Sequence, residues 1–363
     1  MIYLGGQKMI KKILAMGMCL ILVLSLVACS DKNKDVKVDK SATKMDTVMQ
    51  LSAYGSNATK AIDAAYTKID EIEQMASNTI ATSDVSKINA AAGKDYVVVN
   101  PEVIRIIKTT LIYSKLSNGA FDITIGPLIK LWAIGTPQER IPSPAEIKEK
   151  LALVNYKDIS INEKDNSVKL MKPGMSIDLG GVAKGYTADE VIKVFKKYKI
   201  TTALINLGGS SIYTMGEKPD KTLWSVGIQN PRKERNEGFV GIIKMPQTAL
   251  STSGDYERFF IKDGKRYHHI LDPATGYPAY AGVMSDTIVV DSSIPDCNML
   301  ADTLTKLTFV SGIDKGLKII DNLKGISCMA ETTDYKTTNY KIYKSTNWKT
   351  QLDNIDPGFK VVN

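Results

Sequence analysis

The sequence predicts an α+β fold. Apolar runs with strand character alternate with amphipathic helical stretches. The two do not follow the regular strand–helix–strand rhythm of a doubly wound sheet, and no internal repeat interrupts them. The chain has 363 residues, 44% of them hydrophobic and 24% charged, enough for one large core or two modest ones and unlike a disordered chain.

The first 28 residues read as a targeting segment. Lys8, Lys11 and Lys12 form a basic start, residues 13–24 are almost wholly apolar, and small residues follow. Leu26-Val27-Ala28-Cys29 resembles a bacterial lipobox, so Cys29 is expected to become the lipidated N-terminus outside the cytoplasm, held at the cell membrane by its acyl chains. Removing residues 1–28 deletes three lysines and no acid, and lowers the formal charge from +8 to about +5, a mild excess suited to an anionic membrane or ligand. No clustered basic and aromatic face points to nucleic acid. Residues 29–44 alternate Lys and Asp with few apolar groups and are expected to form a flexible tether, leaving residues 45–363 as the folded domain.

Residues 47–54 read as a strand. Ala61, Ala65, Ile69 and Ile72 set a helical period across 58–76, and Pro101 opens a second helix that runs to about Leu116. Pro-rich turns lead to a short helix before residue 153, and 158–171 reads as a hairpin around Asp165-Asn166. A helix is expected near 182–198, then strands near 201–207, 211–215, 223–229, 239–245 and 285–290. Helices near 296–308 and 312–322 precede a final strand pair. Of four cysteines only Cys297 and Cys328 lie in the domain; a disulfide between them and two buried thiols are both open.

Four segments rich in Gly, Asp and Thr carry chemistry: residues 119–122, 178–186, 272–276 and 301–305. In the second, a strand ending at Asp178 runs through Gly180-Gly181 into a helix. Glycines admit close backbone approach, a helix start offers N–H groups to phosphate, and Lys184 adds a positive charge. Taken alone, such a turn is as often only a tight connection. Asp302 and Thr305 share a helix face, which suits a hard cation such as Mg2+ or merely a capping Asp. His268 and His269 are the protein's two histidines, available for proton transfer or for a core. Arg258 suits a phosphate or a surface pair with Glu257 or Asp255. No Gly-x-Ser-x-Gly elbow supports a serine hydrolase.

Together the motifs resemble the ApbE family of FAD:protein FMN transferases, from Met45 to about residue 322. In order they are Met45-Asp46-Thr47, Ser83-Asp84-Val85-Ser86-Lys87-Ile88-Asn89, residues 119–128, 178–189, Asn206-Leu207-Gly208-Gly209, 253–260, 269–278 and 301–312. The resemblance implies an α+β fold with a T-fold-like core and a single FAD-binding cleft. It implies that Met45, Ala120, Phe121, Asp122, Asp178, Lys184 and Ile270 line the flavin nucleotide. It also implies Mg2+ on the Gly181 carbonyl, the Asp302 carboxylate and a hydroxyl near Thr305. The implied reaction moves FMN from FAD to a Thr or Ser hydroxyl of another exported protein, typically a redox subunit, and releases AMP. Lys184 and Asp302 would serve catalysis, with His269 preferred over an Asp as proton acceptor for its ordinary pKa range. The chain departs from the family twice. Thr79 stands where the family has a stacking aromatic, and Lys306 stands where it has a metal-ligating Thr. The same cleft with water as acceptor would make an FAD pyrophosphatase, and without turnover a flavin-binding surface lipoprotein.

Overall fold

The protein is described here by a computed structural model covering residues 36–235, 237–333 and 339–362. The targeting segment and Cys29 lie outside the described residues. The domain is α+β, as predicted. A nine-stranded sheet runs in the order β1-β2-β6-β7-β10-β13-β14-β15-β17, antiparallel except for its last pair.

The sheet begins earlier than expected. Residues 37–44, read as part of the tether, form edge strand β1 (Lys37–Lys44) and pair antiparallel with β2 (Thr47–Tyr54). The Lys/Asp alternation that resembles a solvated linker has the two-residue period of a half-exposed strand, and lysine is a natural guard of a sheet edge. Met45 and Asp46 close the hairpin with φ of 48° and 58°, the left-handed pair that a two-residue turn requires.

Helices cover one face of the sheet. α1 (Ala58–Ala76) buries Ala61, Ile62, Ala65, Ile69 and Ile72, and α2 (Asp84–Ala90) follows. α3 (Pro101–Leu116) starts on Pro101 with an Asn100 side-chain cap. α4 (Gly126–Trp132) and α5 (Pro144–Leu151) form a satellite cluster around Leu128, Trp132, Ile147 and Leu271. α6 (Ala183–Lys197) and α7 (Cys297–Asp321) pack against each other over the main core. α7 consists of two helical runs that meet at the non-helical Gly312 (φ 75°, ψ 174°), in keeping with the two helices that the sequence suggests.

The other sheet face is covered by the three-stranded sheet β16-β9-β8, with β8 at Trp224–Gln229, β9 at Phe239–Met245 and β16 at Leu352–Asp353. β13 (Val283–Asp291) feeds both sides: Ile288 and Val290 join the helical core, whereas Val289 joins the opposite cluster. β6 (Ala203–Leu207), β7 (Ser211–Met215), β14 (Ile326–Thr332) and β15 (Tyr340–Lys344) lie near the expected places, with β17 (Phe359–Val361) at the edge. The predicted hairpin forms as β4 (Ile159–Asn162) and β5 (Ser167–Leu170), joined by β3 (Val97–Val98). β10 (Thr248–Gly254) and the hairpin β11 (Phe259–Lys262) with β12 (Lys265–His268) are additions.

Cys297 and Cys328 are two free, buried thiols.

Candidate active site

Two helix starts and one glycine turn make the site. Asp178 ends an extended segment held from several sides. Its N–H donates to the Ile123 carbonyl at 2.8 Å. The Asn89 amide brackets the preceding Ile177, accepting from its N–H at 2.7 Å and donating to its carbonyl at 3.0 Å. The Asp178 carboxylate accepts from Gly180 N–H at 2.8 Å through Oδ1 and from the Asn78 amide through Oδ2. Burial raises its pKa, while the Gly180 N–H, Arg258, Asn78 and Lys184 oppose that rise. Lys184 Nζ reaches back to the Gly180 carbonyl at 3.4 Å.

α6 and α7 cap one another. Asp302, on α7 and 1% exposed, accepts the Gly185 N–H in the first turn of α6 at 2.9 Å through Oδ2. In return Asp189, on α6, accepts the Asn298 N–H at 3.1 Å and the Met299 N–H at 2.8 Å at the start of α7. Burial pushes Asp189 up to about 6. Gly185 permits the contact: a Cβ there would stand 2.3 Å from the Asn298 carbonyl oxygen and 2.7 Å from Asp302 Cβ. Residues 178, 180, 184 and 302, distant in sequence, are thereby fixed around one turn.

Lys306 completes the group. Its ammonium donates to the Asp302 carboxylate Oδ1 and, at 2.8 Å, to the Asp302 carbonyl. Its Cε is 3.5 Å from the point where a Gly181 Cβ would stand. Burial lowers its pKa, Asp302 opposes that fall, and Lys184 adds to it.

This arrangement corrects the expected metal set of Gly181, Asp302 and Thr305. Asp302 already answers an N–H and an ammonium. The Thr305 hydroxyl donates to the Asp302 carbonyl at 2.7 Å and accepts from Ser253 on β10 at 2.8 Å, so it is engaged in packing α7 on the sheet. Among the described residues no three His, Cys, Asp or Glu side chains are grouped to hold a metal. The donors do not fit a resident Mg2+, because an ammonium stands in front of the one carboxylate.

The remaining predicted residues divide between lining and scaffold. Phe121 packs on the glycine turn, its Cε2 3.6 Å from the Gly181 Cβ position. Met45 is half-buried at the β1–β2 turn, anchored by its N–H to Glu73 at 2.9 Å, with Thr187 of α6 at 3.6 Å from its sulfur. Ala120 is half-buried beside Phe121. The Asp122 carboxylate shapes the loop, accepting from Thr124 N–H (2.8 Å), Thr124 hydroxyl (2.6 Å) and Tyr156 N–H (2.8 Å). A surface cleft opens there, between Gly119 and Asp122 on one side and Pro273 and Ala274 on the other. Ile270 is 6% exposed and belongs to the core.

The two histidines part ways. His268 is buried, holds the Ala279 carbonyl at 2.9 Å and meets Phe309 and Tyr280 edge-on, a core role. His269 stands near Arg258 and Lys184, its Nδ1 buried and unpartnered; burial and those cations push it down to about 3. The reason for preferring it as a base, an ordinary imidazole pKa, therefore does not hold, although the ring stays unprotonated. Asp255 pairs bidentately with Arg232 at 2.7 and 2.8 Å, which leaves Arg258 for the Asp178 side of the site. Asn78 and Asn89, which hold Asp178 and Ile177, carry no signal in the sequence beyond their places beside Thr79 and within residues 83–89.

Known proteins share this fold and much of this sequence. The model of the ApbE family matches residues 45–330. An FAD:protein FMN transferase of Klebsiella pneumoniae (strain 342) is 33% identical over 89% of this chain and 96% of its own length. One of Treponema pallidum (strain Nichols) is 28% identical over 86% and 89%. Among solved structures, the ApbE protein of Thermotoga maritima superposes with TM-score 0.73 at 32% identity, covering 81% of this chain and 94% of that one. The flavin transferase ApbE of Vibrio cholerae gives 0.75 at 25% identity, with 86% and 97% covered. A family model spanning most of the domain, and a relative this similar over nearly its whole length, establish the relationship: the chain belongs to the ApbE family.

Proposed function

We propose that this protein is an FAD:protein FMN transferase. The observation that carries the reading is the meeting of Asp178, the Gly180-Gly181 turn, Lys184, Asp302 and Lys306 at the start of α6. Two ammoniums beside a glycine turn suit a diphosphate. The acceptor hydroxyl oxygen attacks the phosphorus of the FMN half. The bond from that phosphorus to the AMP oxygen breaks, and AMP leaves with the electron pair. Such transfers depend on positioning and charge neutralisation more than on covalent help. In this reading Lys184 and Lys306 meet the growing negative charge. His269, unprotonated, is free to receive the hydroxyl proton late in the step, as a weak base. Mg2+ enters this reading as a companion of the FAD diphosphate, not as a resident of the protein.

The acceptor is proposed to be an exported protein bearing a Thr or Ser. Cys29 is proposed to carry lipid and hold the enzyme on the outer side of the cell membrane, on the strength of residues 8–29. No helix among the described residues is long and apolar enough to cross a membrane.

The test is direct. The purified protein is incubated with FAD, Mg2+ and a candidate exported acceptor, then run on a denaturing gel under ultraviolet light. A fluorescent acceptor band is the expected result, lost in Asp302→Ala. AMP release without a band in any acceptor would make the protein a pyrophosphatase, and intact bound FAD would make it a flavin carrier.

A further inference from the structure

The Asp302–Lys306 pair has the i,i+4 spacing of an ordinary helix-surface ion pair, but it is not on the surface. The Asp302 side chain is 1% exposed and that of Lys306 20%, and the pair lies under the Gly180-Gly181 turn. A purely structural pair would balance its charge. Here a second ammonium, Lys184, stands close enough to depress Lys306, and the acids facing Lys306 are Asp302 and, from β13, Asp286. Asp286 is itself engaged by the Thr308 hydroxyl, and burial pushes its pKa well up. Asp178, on the other side of the turn, faces Lys184 and Arg258, so two carboxylates, Asp178 and Asp302, meet three cations, Lys184, Lys306 and Arg258, which leaves surplus positive charge at a turn built of glycines.

Lys306 also has donor capacity to spare. An ammonium carries three N–H donors. Two are spent on Asp302, its carboxylate and its carbonyl. Asp302 cannot swing away to bind something else without releasing the Gly185 N–H that it caps. The carboxylate therefore works as a fixed holder for one positive charge.

We propose that the Lys306 ammonium is the resident cation of this site. It is held by Asp302 beside Gly181 and neutralises the nucleotide diphosphate in place of a protein-bound divalent metal. This deepens the transferase reading and rests on it for the diphosphate, but the absence of a resident metal can be tested without it.

The experiment uses the full chain. Mn2+ is titrated into the FAD-free protein and free Mn2+ is read by electron paramagnetic resonance. The wild type is expected to bind Mn2+ no more tightly than Asp302→Ala. Lys306→Thr, which frees Asp302 Oδ1 and adds a hydroxyl, is expected to gain at least tenfold in Mn2+ affinity, and the gain should vanish in the Asp302→Ala, Lys306→Thr double variant. FAD binding is then followed by flavin fluorescence with EDTA or with Mg2+. Wild-type affinity should differ less than twofold between the two conditions. Lys306→Gln should lose at least tenfold in EDTA, and Lys306→Arg, which keeps the charge, should lose less. Circular dichroism confirms that each variant is folded. Tight wild-type Mn2+ binding that depends on Asp302 would overturn the proposal, as would unchanged FAD affinity of Lys306→Gln in EDTA. The Mn2+ result reads the Lys306 assignment even if no FMN transfer is found, so failure of the two readings can be told apart.

Discussion

Replacing Gly185 with alanine should damage stability and nucleotide binding together. A methyl group at residue 185 would lie 2.3 Å from the Asn298 carbonyl oxygen and 2.7 Å from Asp302 Cβ. Comfortable contacts need roughly 3.5 Å, so α6 and α7 would have to part by about 1 Å. Neither contact is the flexible end of a side chain, and the neighbours cannot yield locally. Overpacking of this kind costs about 1–3 kcal/mol. Separation also stretches the Gly185 N–H to Asp302 bond, charge-assisted and buried, worth about 1.5–3 kcal/mol. The better helix propensity of alanine returns about 1 kcal/mol. A net loss of about 3 kcal/mol follows, which lowers Tm by about 4–5 °C in a domain of about 320 residues, at about 2.1 cal/mol/K of unfolding entropy per residue. Calorimetry gives the Tm, and flavin fluorescence titration should show at least a tenfold weaker FAD. If Gly185→Ala melts within a degree of wild type and binds FAD equally well, the two helices are not locked as described.

Two further outcomes follow from other parts of the molecule. Thr79 is exposed and lies next to Asn78, which holds Asp178, so Thr79→Tyr should supply the missing stacking face. FAD affinity is expected to rise by about tenfold, in line with about 1–3 kcal/mol per stacked ring; equal affinity would show that residue 79 does not reach the ligand. Glu331 is fully buried, and burial pushes it from 4.5 up to about 8 against the opposing effect of the neighbouring Ser285 hydroxyl. The folded state therefore keeps a proton that the unfolded chain gives up, and stability present below pH 4.5 is lost as pH rises towards 8, by up to about 5 kcal/mol. Glu331→Gln should remove this fall, as read by urea unfolding from pH 5 to 8; a constant gap between the two proteins would refute the assignment.

The longer helices were legible from their apolar spacing, as in α1 and α6, and from Pro101 at the start of α3; α2 and α4, of seven residues each, were not, being too short to show a period. β10 was not legible because Thr248-Ala249-Leu250-Ser251-Thr252-Ser253-Gly254 shows little apolar alternation. Its buried hydroxyls are answered only across the sheet and by α7: Ser251 by Ser211, Thr252 by Thr287, Ser253 by Thr305. β1 was misread because a charged edge strand and a solvated linker share a composition. At the site, the convergence of Asp178, Gly181, Lys184 and Asp302 could be anticipated from motif order. The depressed His269 could not, since its cause is burial beside Arg258 and Lys184. Lys306 was visible as an oddity, but its place in front of Asp302 needed coordinates.

The early start of the sheet shortens the leash. Only residues 30–36 separate Cys29 from β1, where the sequence had suggested a spacer reaching residue 44. Seven residues span at most about 25 Å even when drawn straight, less than the roughly 30 Å thickness of a bilayer's hydrocarbon core. With lipid on Cys29, as proposed, Lys37 at the start of β1 would be kept within about 25 Å of the membrane surface, and the enzyme would turn about this short leash rather than roam.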